Sequence, residues 1–328
     1  MKKTDEASTG HNGLKEERDP GSPKDSLKTR ADTDHAFAKR TVVFLSASGG
    51  VGLSALCSLT ALQFKDRGRS AALVDADFGA GGLDILLGLE NDKGLRFGTL
   101  NAPLGKIDGE VLSRRLPHWE GIPVLAYDSW NSEIPEWWEV EAAMAALGRS
   151  VDLVFVDGAR GIGIGVVPGI ERASFVIVAE LSVLGLARAK ALLSRVVSGH
   201  MGLPGRDDVC CADGGDDSCE SSNRSLPQAH KACAVQEGEG RNSLGGEAPH
   251  LAAIVGVEPR GTSRRRGVVG VGEASEYLGH RVLGPLRPNS ARISDALEGF
   301  GLRTTKADRA VMNELARAIG DAVDGGER

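Results

Sequence analysis

Thr41-Val42-Val43-Phe44-Leu45, and directly behind it Ser48-Gly49-Gly50-Val51-Gly52-Leu53-Ser54, is the stretch on which the fold turns. The first run is short, apolar and β-branched, as a strand buried on both faces reads. The second is a glycine-rich turn. Beyond it Leu56, Leu59, Leu62 and Phe64 keep helical spacing as far as Gly68, which stands where a C-cap glycine would. Strand, loop and helix in that order let backbone N–H groups converge on phosphate oxygens, with the positive end of the helix dipole behind them. A full phosphate loop also carries a leading glycine and a lysine before its Ser/Thr, and here Ala47 and Leu53 hold those places. Taken alone the turn is weak evidence, because many α/β proteins need one only to turn tightly.

The pattern repeats outward from this unit. Ala71 to Val74 reads as a second strand, and further apolar runs lie at Pro123 to Ala126, Leu153 to Val156, Phe175 to Val178 and Leu251 to Val257, mostly separated by helical patterns. Alternation of this kind predicts right-handed crossovers and an α/β, doubly wound, mostly parallel sheet flanked by helices. Val311, Met312, Leu315, Ile319 and Val323 form one stripe of a final helix over about Lys306 to Val323. Residues 1–40 mix both charge signs with Gly, Pro, Ser and Thr, and read as a disordered polar tail before a single domain over 41–328. The segment at about 202–249 has no periodic apolar face and reads as a disordered insertion within that domain, since the strand pattern resumes after it.

In a chain of 328 residues, 41% hydrophobic content suffices for a substantial core, and a net charge of -6 gives no bulk attraction to nucleic acid or anionic lipid. The lack of a bilayer-length apolar run, together with an odd number of cysteines, gives the expectation of a cytoplasmic protein with reduced thiols. Cys210, Cys211, Cys219, His230 and Cys233 have zinc-ligand chemistry without the paired spacing of a structural site.

Two carboxylates leave the second strand in Val74-Asp75-Ala76-Asp77, and Val151 to Val156 runs into Asp157-Gly158-Ala159-Arg160. At the carboxyl edge of a parallel sheet, beside a phosphate loop, such groups could hold Mg²⁺ through its waters or orient a water. Each aspartate singly is as well explained as a solvated loop residue or helix cap; the order of all three elements is what singles them out.

In that order the chain resembles the MinD/ParA family of deviant-Walker P-loop ATPases. Their loop lysine-Gly-Gly-x-Gly-lysine-Ser/Thr falls on Ser48 to Ser54, their Val-Asp-x-Asp on Val74 to Asp77, their Leu-Asp-x-x-x-Gly on Leu83 to Gly88, and their Walker B aspartate on Asp157. It looks closest to the actinobacterial septum-site-determining, CpaE-like branch associated with Tad/Flp pili, which favours lysine-poor loops. The resemblance implies that Ser48, Gly49, Gly50, Val51, Gly52, Leu53, Ser54 and Ala55 contact ATP or ADP. It implies that Ser54, Asp75 and Asp157 surround Mg²⁺, partly through water, and that Asp77 orients the attacking water. Partners would be a nucleotide-dependent homodimer and division-site or pilus-assembly proteins, with recruitment to pole or septum. Both family lysine positions, Ser48 and Leu53, are uncharged, which points to a degenerate ATPase that binds nucleotide with little or no turnover.

Two alternatives stay open: an active ATPase in which Arg260, Arg264 or Arg160 supplies the missing cation, and a scaffold that no longer binds nucleotide. Arg264-Arg265-Arg266 lacks aromatic interleaving, which argues against a nucleic-acid site, and the acidic stretch Asp321 to Glu327 argues against direct membrane binding. Trp119, Trp130, Trp137 and Trp138 suit either core packing or a partner surface. Replacing residues 205–246 by a short Gly/Ser linker is expected to leave the melting temperature within a few degrees; a large drop in a thermal scan would mean that the segment packs.

Overall fold

The computed structural model describes residues 36–100, 107–130, 132–199, 250–260, 267–288, 302 and 304–325. The polar stretch 1–35, the insertion with its cysteines and His230, and Arg264 to Arg266 lie outside these described residues.

Among the described residues, eight strands and seven α-helices occur in the order β1 (Thr41–Ser46), α1 (Leu53–Asp66), β2 (Ala71–Asp75), α2 (Leu83–Leu87), α3 (Gly109–Arg115), β3 (His118–Trp119), β4 (Ile122–Leu125), α4 (Trp137–Ser150), β5 (Leu153–Asp157), β6 (Ser174–Glu180), α5 (Val183–Val197), β7 (His250–Val257), α6 (Val271–Leu278), β8 (Val282–Leu286) and α7 (Arg309–Gly325). They build one sheet in the order β3-β4-β2-β5-β1-β6-β7-β8. Every pairing is parallel except that of the short β3 with β4. The sheet is thus the doubly wound, mostly parallel one that the alternation predicts. β1 stands at its centre, between β5 and β6, where the chain passes from one half of the sheet to the other.

All six residues of β1 are buried, as its lack of polar alternation requires. Val43 and Leu45 face one layer, with α3, α4, α5 and α6; Val42 and Phe44 face the other, with α1, α2 and α7. Helix α7 covers its face with Met312, Leu315, Ala316, Ile319 and Ala322, so its apolar stripe packs on the sheet. Among the described residues no helix is long and apolar enough to cross a membrane.

Three details differ from the sequence reading. Ala36–Arg40, grouped with the tail by composition, is a 3₁₀ turn that buries Phe37 and Ala38 under the sheet. Two apolar residues in a polar context suffice to anchor it. The edge strands β3 and β8 were not anticipated as strands, because one is two residues long and the other is broken by Gly284-Pro285. The final helix starts at Arg309, three residues later than its apolar period suggests.

Phe155 at the sheet centre is fully buried, with the rings of Phe64 and Phe44 5.4 and 6.4 Å away. Phe155→Ala is expected to cost about 3 to 5 kcal/mol in chemical unfolding. A loss below about 1 kcal/mol would show that the centre repacks freely.

Candidate functional site

The loop after β1 is held from below and open above. The Ser46 hydroxyl donates to the Val178 carbonyl of β6 at 2.8 Å and accepts the Ser48 N–H at 3.2 Å, which leaves Ser48 only 8% exposed. Gly50 and Gly52 then take φ values of 71° and 84°, the left-handed region where a β-carbon is strained. Gly52 caps α1 without a side chain. Among the described residues the N–H groups of residues 49–55 have no hydrogen-bond partner. A helix start always leaves its first amides unpaired; here the loop adds more donors to the same edge, which suits an anion.

The carboxylates arrive through strand register. Parallel pairing puts Asp75 of β2 opposite Asp157 of β5, and Asp157 opposite Phe44 of β1. Both side chains are buried. Asp75 accepts the N–H groups of Asp77 at 3.1 Å and Leu83 at 3.2 Å, yet burial, and then the neighbouring Asp157 charge, push its carboxyl up to about 7. Burial also raises Asp157, with the Ser54 hydroxyl and the Ala159 N–H pulling the other way. Cys57 lies beneath them, its thiol driven well up by burial and then by the charges of Asp157 and Asp75. Two adjacent buried acids beside a serine hydroxyl fit a hard divalent cation held largely through its waters.

The motif residues around this centre make further contacts of their own. The Asp77 carboxylate accepts the Gly79 and Ala80 N–H groups, both at 3.3 Å, and so closes its own turn at the cleft wall. Asp84 pairs with Arg96 at 3.2 Å, a structural ion pair. Leu53 is half-buried against the layer formed by α1 and α7 and also lines the cleft, uncharged.

A cleft of about 1490 Å³ opens over the loop, bounded by Asp77, Asp157, Glu180, Arg160 and Arg260. Its rim is apolar: Ile134, Trp137, Ile162 and Val166 line it and are 53, 43, 50 and 44% exposed. Sequence reasoning singled out Trp137 but passed over Ile134, Ile162 and Val166, although Gly161-Ile162-Gly163-Ile164-Gly165-Val166 carried a signal. The tryptophans divide: Trp119 is buried in the core, Trp130 is exposed, and Trp137 and Trp138 pack edge to face at the rim. Of the three arginines considered, Arg160 lies at the cleft wall, Arg264 lies outside the described residues, and Arg260 reaches the loop itself. A β-carbon built on Gly50 would lie 3.8 Å from Arg260 Nη1.

The arrangement is that of a P-loop α/β fold. No family model matches the sequence. The chloroplastic septum site-determining protein minD homolog of Arabidopsis thaliana is 28% identical over 142 residues, 41% of this chain and 43% of that protein. The chain spans less than half the length of the curated relatives it matches. Among solved structures, a chain of the MinC:MinD cell division protein complex of Aquifex aeolicus superposes with a TM-score of 0.56 at 15% identity, covering 86% of this chain and 96% of that one. A ParA family ATPase from Chlorobium tepidum gives 0.54 at 17% identity, covering 89% and 99%. The fold is therefore that of the MinD/ParA P-loop NTPases.

The carboxylate pair has a measurable pH signature. A carboxyl near 3.8 in the unfolded chain and near 7 in the folded one binds its proton more tightly when folded. The stability it contributes is therefore complete below pH 3.8 and is lost as pH rises through about 7. Asp75→Asn is expected to raise the melting temperature of the ligand-free protein near pH 8 and to flatten its fall between about pH 5 and 8. An unchanged profile would contradict the electrostatic account.

Proposed function

We propose that this chain is a MinD/ParA-like, nucleotide-binding spatial regulator, acting in septum-site determination or in localising a Tad/Flp-type pilus machine, with little or no ATP hydrolysis. The observation that carries the proposal is the row of unpartnered amides at residues 49–55, set beside the buried pair Asp75 and Asp157. Gly49, Gly50, Gly52 and Ala55 would present N–H groups to the phosphates of ATP or ADP, and Ser54 its hydroxyl to Mg²⁺. Asp75 and Asp157 would orient the metal's waters. A bound cation stabilises the ionised form of such acids and so removes the tension that burial creates in them. Asp157→Ala should then weaken Mg-ATP binding and leave the fold intact.

Slow turnover follows from the loop's chemistry. Phosphoryl transfer is driven by positioning and by cations facing the developing charge, and Ser48 and Leu53 supply neither. Losing two such cations costs several kcal/mol at the transition state, on the order of a thousandfold or more in rate. A homodimer closing around nucleotide would bring Ser48, not lysine, to the shared phosphates. Recruitment to pole or septum would then run through protein partners, with nucleotide state as the signal.

Calorimetric titration with Mg-ATP and a phosphate-release assay on the purified chain test this reading. Measurable affinity with phosphate release near background is expected, and no affinity for ATP or ADP would leave a nucleotide-free scaffold. Brisk magnesium-dependent hydrolysis, abolished by Asp77→Ala, would favour the active ATPase. That reading has one observation on its side, the approach of Arg260 to Gly50.

A further inference from the structure

We propose that Arg260, at the end of β7, is the phosphate-facing cation of this site, and that it takes over in binding, from a different strand, the place of the lysines the loop lacks. The inference rests on the nucleotide-binding reading above and assigns that site its electrostatic partner. Its Nη1 lies 3.8 Å from where a β-carbon on Gly50 would be, so the guanidinium rests directly over the turn whose amides are unpartnered. It stands on the cleft wall with the loop and with Asp157.

The neighbouring acids are engaged elsewhere. Glu258, two residues before it, pairs with Arg287 at 3.2 Å, and Glu180, at the end of the adjacent strand β6, accepts the Ser182 hydroxyl at 2.5 Å. Among the described residues Arg260 has no ion pair or hydrogen bond of its own. An exposed arginine held over a ring of N–H donors, with no acid to neutralise it, adds positive charge to an edge already polarised positive. The missing counterpart is an anion. The planar fork of an arginine matches phosphate oxygens better than an ammonium does.

The site next to it explains why a cation from outside the loop is tolerable. Leu53 packs partly against the α1/α7 layer and otherwise lines the cleft without charge, so the charge that the loop lacks enters from the far wall. Strand β7 is suited to this. Its neighbour β6 pairs with β1, which puts the end of β7 two strands from the loop, within reach of an arginine side chain.

Titration of the full chain with Mg-ATP, Mg-ADP and adenosine, for wild type, Arg260→Ala and Arg260→Lys, tests the assignment. Arg260→Ala is expected to weaken Mg-ATP binding roughly ten- to a hundredfold, the range of one charge-assisted phosphate contact. Adenosine binding and melting temperature should not move, since the side chain is exposed and unpaired. Arg260→Lys should recover part of the loss. Adding Leu53→Lys to Arg260→Ala should recover affinity from the loop side, which a role on the base could not produce. Equal Mg-ATP affinity in wild type and Arg260→Ala would overturn the assignment while leaving the nucleotide reading standing. Equal losses for ATP and adenosine would move Arg260 to the base and overturn it too. Failure of wild type to bind either nucleotide would end both.

Discussion

Parallel register at the centre of the sheet fixes everything else in this molecule. With β1 hydrogen-bonded to β5, and β5 to β2, three chain segments must end at one edge: the glycine turn, Asp157 and Asp75. No side chain chooses this meeting; strand pairing does, and the apolar layers on both faces hold it. The left-handed glycines then let the chain reverse into α1 within a few residues, so that donors and acids come to share one mouth.

That mouth is electrostatically unbalanced in two directions at once. Below, two buried acids stand side by side, and burial pushes the Asp75 carboxyl up to about 7. Above, amides and an arginine face solvent without an acceptor. A magnesium nucleotide complex would present a cation to the first and an anion to the second, and so relieve both. The same imbalance predicts a loss of stability in the ligand-free protein as Asp75 ionises, and a lysine-free loop need not mean a ligand-free one. Arg260 restores to binding a charge the loop lacks, but from a wall where it was not obliged to follow a phosphoryl group through transfer.

Much of this was legible in the sequence. The strand-loop-helix start, the alternation, and Asp75 and Asp157 at strand ends follow from hydrophobic period and turn chemistry, which are local. What escaped was non-local or compositionally masked. Phe37 and Ala38 anchor a turn inside a polar stretch that reads as tail. The β3 edge is too short for a period to show. Arg260 was one of three arginines a sequence could nominate, and only the pairing of β7 with β6 and β6 with β1 puts it over Gly50. Asp77, to which the motif resemblance gives a water-orienting role, also accepts the amides of its own turn, a contact that the sequence does not display.

Amide hydrogen exchange across the whole chain, with and without saturating Mg-ATP, tests the central claim most directly, because the claim is about named backbone donors. The account predicts fast exchange at residues 49–55 in the free protein, as expected for unpartnered amides, and marked protection there on adding Mg-ATP, weaker with ATP in chelator. Unchanged exchange at residues 49–55 under conditions that saturate binding, with protection appearing elsewhere, would contradict it.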